Sequence, residues 1–268
     1  MKKFAFAIVA MAAMMFASCG GNKQQQTTEE VDTTKTFEQE QIEASIKMHL
    51  DSMAVALNEK DLDDIATIAK DGKINLSADE KKVQPALLAA NIHDELTTIA
   101  QKYSAIAMLA IDKEVAKVYD MNISDYEATI AKLVSEVNDP AIKKLQDTKV
   151  DKESLSQLSK DMDAEGRINF FWIASSAATV ENLYIMSQNV DKFLATYTDN
   201  QVANITFRLF CILDAMDRLS EYDPQIPGIA EGLNPLKGLT NATTVGEFKK
   251  ALTESKEQIE ASRAAFLK

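Results

Sequence analysis

The chain reads as an all-α protein, and three features predict it. Its 268 residues include only eight glycines and five prolines, too few to punctuate a strand-and-turn architecture. No stretch alternates apolar and polar residues with the period of two that a half-buried strand requires. Helix starts, by contrast, recur: Thr36-x-x-Gln39, Ser77-x-x-Glu80, Ser124-x-x-Glu127, Thr198-x-x-Gln201 and Thr244-x-x-Glu247 all have capping-box spacing. The predicted architecture is an elongated antiparallel helical bundle of about seven to nine helices, two of them long.

In chain order, residues 1–18 form a targeting segment, 19–36 a tether and 37–268 a single all-helical domain. Caps and breakers place helices near 37–58, 61–71, 78–119, 124–138, 140–147, 151–195, 199–221, 225–239 and 244–267. Asp139-Pro140, Asp223-Pro224 and Asn234-Pro235 each set a capping side chain before a proline suited to a first helical turn. In 78–119 the apolar positions Ile92, Leu96, Ile99, Tyr103, Ile106 and Ala110 step by fours and threes, a core-facing stripe. Pro85 and Gly166 are the expected bends in the two long helices. The stretch Phe170–Ser187 carries one charge, Glu181. Its Ser, Thr and Asn content marks the centre of a bundle rather than a membrane span. Short turns at 72–77 and 196–198 imply antiparallel neighbours.

The first 19 residues have a separate logic. Lys2 and Lys3 precede an uninterrupted apolar run, Phe4 to Phe16, which ends in the small residues Ala17 and Ser18 before Cys19. As a helix that run is about 20 Å long, short of a bilayer's hydrocarbon core. Phe16-Ala17-Ser18-Cys19 resembles the lipobox of bacterial lipoproteins, with Phe where Leu is usual. The resemblance implies a diacylglycerol on the Cys19 thiol, cleavage before Cys19 and acylation of the new amine, hence stable anchoring.

The tether Gly20–Thr36 has one apolar side chain, Val31. It cannot bury enough surface to fold, and as a coil it spans about 23 Å. Gly20 behind the cysteine, by the same resemblance, favours the outer membrane. The segment is similar to Bacteroidota lipoproteins, whose surface-export signals place acidic residues close behind the cysteine. Here Glu29 is the first, which favours a periplasm-facing domain. Asp32-Thr33-Thr34 and Asp51-Ser52-Met53 resemble the Asp-Ser/Thr-apolar O-glycosylation motif of that phylum, so Thr33 is a candidate acceptor, ahead of Ser52.

Composition narrows the function. Removing residues 1–18 leaves 27 basic against 41 acidic side chains, a net charge of −14. That balance gives no electrostatic basis for gripping nucleic acid or anionic lipid, and makes the lipid at Cys19 the expected membrane contact. With Cys19 acylated, Cys211 is the one free thiol, and its apolar surroundings (Phe207 to Leu213) mark a buried hydrophobe. His49 and His93 lack neighbours at metal-ligand spacing. Asp71-Gly72-Lys73-Ile74-Asn75 resembles the middle of an EF-hand or dockerin calcium loop. Two of the required ligand positions fall on Ala69 and Ala78, however, which have no side-chain oxygen. No nucleophile elbow, glycine-rich phosphate loop or HExxH appears, and the GxHxxE of imelysin-type envelope proteins is missing. No catalytic residue, metal ligand or cofactor is assigned.

Two features remain. Glu181 and Arg208 are each the sole charge in an apolar segment, and a buried charge must find a partner. They are candidates for one buried polar network, with Asp214 and Asp217 as alternative partners of Arg208. A turn near residue 197 sets Arg208 opposite about residue 186, so the pairing requires a stagger. The segment Tyr222–Gly246, rich in proline and glycine and carrying Ile226, Ile229, Leu233, Leu236 and Leu239, reads as a lid or a partner-binding strip. The expected function is a non-enzymatic interaction or structural role as a lipid-anchored helical envelope protein, with an unidentified envelope protein as the expected partner. The alternative is a carrier holding a small molecule near Phe170–Tyr184.

Overall fold

The computed structural model describes residues 37–56, 76–146, 152–221 and 223–268. Every regular element among them is helical. Residues 1–18, Cys19, the tether with Thr33, the helix expected at 61–71 and the Asp71–Asn75 loop lie outside the described residues, as does the Ser52 side chain. Eleven α-helices follow: α1 Phe37–Ala56, α2 Ile99–Val118, α3 Ser124–Val137, α4 Pro140–Gln146, α5 Lys152–Ala164, α6 Ile168–Gln188, α7 Val190–Phe193, α8 Asp199–Leu219, α9 Pro227–Leu233, α10 Val245–Glu254 and α11 Lys256–Ala265. A 3-10 helix, Asn234–Asn241, separates α9 from α10. The all-α class stands. The described residues hold more α-helices than expected because the stretch 151–195 divides into three and 244–267 into two, whereas the division of 78–119 leaves one α-helix behind two 3-10 turns.

The first division falls before Ile99. The Ser77/Glu80 box forms: the Ser77 N–H donates to Glu80 Oε2 (2.7 Å) and the Glu80 N–H to Ser77 Oγ (3.3 Å). It closes only a 3-10 turn, Glu80–Lys82. Pro85, which supplies no N–H, then stands in a stretch (84–89) without regular structure. The helix restarts on a second box, where Thr98 Oγ1 accepts the Gln101 N–H (3.1 Å) and Gln101 Oε1 accepts the Thr98 N–H (2.7 Å). The core face of α2 is accordingly rotated from the expected stripe. Met108, Leu109, Val115 and Ala116 are buried with Tyr103, while Ile99 and Ala110 face outward.

The second division is at Gly166, whose φ of 69° is left-handed. The Gly166 N–H donates to the Asp163 carbonyl (3.0 Å) and the Arg167 N–H to the Met162 carbonyl (2.7 Å), the double bond pattern of a Schellman ending. A residue with a Cβ would be strained there. The chain therefore turns between α5 and α6 where a bend in one continuous helix was expected.

Helix α6 is the hub, packing against α2, α5, α7, α8, α10 and α11. Its burial matches its apolar sequence: Trp172, Ile173, Ala177 and the run Val180–Ser187 are all in the interior. Tyr103 of α2 stacks on Phe170 of α6 with ring centroids 4.7 Å apart, and nine residues further along α2, Asp112 meets Glu181. These two helices thus run in the same direction, not antiparallel. The reversal is supplied by α3, which returns along α2 so that Lys102 reaches Glu136 (2.7 Å).

In the C-terminal strip, Ile226, Ile229, Leu233, Leu236 and Leu239 are all buried. The strip is part of the packed body rather than an exposed apolar surface. A Cβ on Gly232 would lie 2.7 Å from the Ala265 Cβ, and Ser262 Oγ donates to the Gly232 carbonyl (2.6 Å). This close approach of α9 seats α11 against the body. No described helix is long and apolar enough to cross a membrane.

Candidate functional site

Charge in the interior concentrates where α2, α6 and α11 meet. Asp112 lies one turn beyond the buried Met108 and Leu109 on α2. Glu181 and Tyr184 are a turn apart on α6, and Arg263 follows the buried Ile259 on α11. Arg263 Nε and Nη2 donate to Glu181 Oε2 and Oε1 at 2.7 and 2.8 Å, a two-pronged guanidinium–carboxylate pair. The guanidinium also sits 4.1 Å from the Tyr184 ring centroid, within cation–π range. Both carboxyl side chains are fully inaccessible, and Arg263 is 14% exposed.

One cation faces two acids, and the second acid cannot ionise cheaply. Asp112 stands 3.8 Å from Arg263 Nη2 and accepts one strong bond, from the Leu88 N–H to Oδ2 (2.7 Å). Burial and the adjacent Glu181 charge push its carboxyl up to about 9. Both guanidinium bonds go to Glu181, which leaves Asp112 as the acid whose protonated form burial favours. Asp112 Oδ1 has no hydrogen-bond donor beside it, as befits the oxygen that carries the proton. The cluster is electrically neutral overall.

Residues 84–90 lie across this cluster as a strap. Besides the Leu88 bond to Asp112, the Ala86 N–H donates to Gln188 Oε1 (2.8 Å). Tyr126 Oη donates to the Leu88 carbonyl (3.1 Å), and Thr129 Oγ1 donates to the Ala90 carbonyl (2.5 Å).

Other polar groupings are structural joints. Tyr103 Oη donates to Asp139, which also pairs with Arg167. Asp139 Oδ1 caps α4 through the Ala141 N–H (2.8 Å), as Asp139-Pro140 foretold. Burial and the Asp139 carboxylate raise the Tyr103 phenol. His49 of α1 stands 2.6 Å from Asp214 Oδ2, which also accepts from Arg218 Nε (2.7 Å).

The network expected of Glu181 and Arg208 is rearranged. Both are buried, but Glu181 takes Arg263, not Arg208, as its guanidinium partner. Arg208 Nε donates to the Asn204 carbonyl of its own helix (3.4 Å). Asp214 pairs with Arg218 and His49, and Asp217 with Lys237 (2.9 Å). Sequence separation misled here, because the partner of Glu181 lies 82 residues away. Neither Asp112 nor Arg263 stands out by composition. Their signal is position: each occupies a step on the apolar stripe of its helix (Met108, Asp112, Val115; Ile259, Arg263, Phe266), where a charge must be matched internally.

Among the described residues no group of three or more His, Cys, Asp or Glu side chains is arranged to hold a metal. Cys211 is buried, and burial, then Asp214, pushes its thiol up to about 11. In a Cys19→Ala protein it should react with a disulfide reagent at pH 8 about 100-fold more slowly than free cysteine. Full reactivity should return on denaturation, and rapid reaction in the folded state would contradict its burial. No protein-family model, curated protein or solved structure matches this chain, so function rests on its own residues.

Proposed function

We propose that this chain is an outer-membrane lipoprotein, anchored through Cys19 and facing the periplasm, whose helical domain acts by binding another envelope protein. The observation that carries the reading is the run Lys2 to Cys19, with its charged start, apolar stretch of Phe4–Phe16 and Ala17-Ser18-Cys19 ending. One feature of the domain supports a binding role. Phe207 and Phe210, a turn apart on α8, are 38% and 52% exposed, the kind of aromatic surface that interfaces use.

A carrier role is the second reading. It draws on Trp172 Nε1 and Ser176 Oγ, one helical turn apart on α6 and buried without a hydrogen-bond partner, which suit a small polar molecule in the bundle interior.

The anchor is tested by metabolic labelling with palmitate followed by detergent phase partitioning. The wild-type chain should be labelled, processed and detergent-soluble, and Cys19→Ala should be none of these. A Cys19→Ala protein that is still processed and membrane-bound would overturn the assignment. Crosslinking and purification of the acylated protein from its own membrane, with mass spectrometry of proteins and small molecules alike, separates the two roles. A recurrent protein partner supports the first, and a stoichiometric small molecule the second.

A further inference from the structure

Two polar atoms of α6 go unmatched in the core. Trp172 Nε1 and Ser176 Oγ are fully buried, and neither has a hydrogen-bond partner among the described residues. An indole N–H can only donate, and keeping it from water without an acceptor is costly. A helical serine or threonine has an escape, the carbonyl three or four residues back. Others in this domain take it. On α6, Thr179 Oγ1 donates to the Ser175 carbonyl (2.9 Å) and Ser187 Oγ to the Tyr184 carbonyl (2.7 Å). On α2 and α8, Ser104 Oγ donates to the Ala100 carbonyl (3.0 Å) and Thr206 Oγ1 to the Ala203 carbonyl (3.1 Å). Ser176 does not. It lies four residues from Trp172, so the two unmatched groups share one face of the helix.

The surroundings also set the charge of what can meet them. No side chain of α6 from Ile168 to Val180 is ionisable, and the one charged residue of the helix, Glu181, is tied to Arg263. A charged guest would find no counter-ion on this helix, so a neutral one fits.

We propose that Trp172 and Ser176 bind a small neutral oxygen acceptor, which accepts from Trp172 Nε1 and makes its second hydrogen bond with Ser176 Oγ. An ordered water and the carbonyl or hydroxyl of a small, otherwise apolar molecule share that chemistry. The site rests on the carrier reading above, yet the two fail separately. A water there sustains the site and removes the carrier's support, whereas a bound molecule sustains both.

The test uses the chain's single tryptophan. In the uniformly isotope-labelled Cys19→Ala chain the indole N–H gives one resonance, whose neighbours are read from isotope-filtered cross-relaxation spectra. That proton should cross-relax with a proton that does not belong to the protein. The partner lies at the water frequency if the guest is a water. It lies at a carbon-bound frequency if the guest is a molecule retained through purification, and mass spectrometry of the denatured sample then gives its mass. In Ser176→Ala the signal should weaken by about threefold but persist, since one of two bonds to the guest remains. Thr179→Ala, which removes a hydroxyl already bonded to its own helix, should leave it unchanged. An indole proton that cross-relaxes with protein protons alone would overturn the proposal. So would complete loss of the signal in Ser176→Ala, which would mean that it had been relayed through the serine hydroxyl.

Discussion

Arg263→Met should destabilise the folded domain by about 3–5 kcal/mol at pH 7, the range for removing one partner of a buried ion pair. Glu181 would lose both of its charge-assisted bonds, at 2.7 and 2.8 Å, while remaining wholly inaccessible. The neighbouring Asp112 is already neutral and offers no compensating cation. For a domain of this size the melting temperature should fall by roughly 6–20 °C. A double variant, Arg263→Met with Glu181→Gln, should recover part of the deficit, and the cycle of four proteins isolates the coupling between the two side chains. Circular dichroism at 222 nm through thermal ramps at pH 7 makes the measurement. A loss below about 1 kcal/mol at pH 7, the scale of a surface pair, would show that the pair is solvated.

Asp112→Asn should act in the opposite direction and stabilise the domain. The folded-state carboxyl, at about 9, lies far above its ordinary value of 3.8. Between those two values the folded chain holds a proton that the unfolded chain has released. Stability therefore falls as the pH rises from about 4 towards about 9, and is unaffected by this group outside that window. An asparagine reproduces the protonated form: its carbonyl can accept the Leu88 N–H and its amide can donate towards Glu181, with nothing to ionise. Relative to wild type the variant should be more stable at pH 8 by up to about 1.4 kcal/mol for each pH unit above the ordinary carboxyl value, the cost of keeping a proton that the unfolded chain has released. The gain should be larger at pH 8 than at pH 5. Urea denaturation at both values tests this, and equal destabilisation at both would mean that Asp112 is an ordinary ionised partner of Arg263.

Local features of the sequence carried the helical class and several boundaries without help from the rest of the fold. The Thr198/Gln201 and Thr244/Glu247 boxes form as read and begin α8 and α10, and Asp139-Pro140 begins α4. Such signals succeed because their hydrogen bonds join residues three apart, whatever lies around them. The Thr98/Gln101 box was equally legible. It was obscured by the continuous apolar stripe on either side of it, which imitated a single helix from 78 to 119.

Tertiary packing decided the rest. Backbone groups of Ala86, Leu88 and Ala90, which a helix would have satisfied internally, are met by Asp112, Tyr126, Thr129 and Gln188 from three other helices. Nothing within the segment announces those partners. The choice of Arg263 for Glu181 likewise follows from the seating of α11 through Gly232 and Ala265, and from α2 and α6 running the same way. Helix caps and apolar periods are short-range properties that a chain displays residue by residue. The pairing of a buried charge depends on which helices are neighbours and in what direction, and only the assembled interior specifies that.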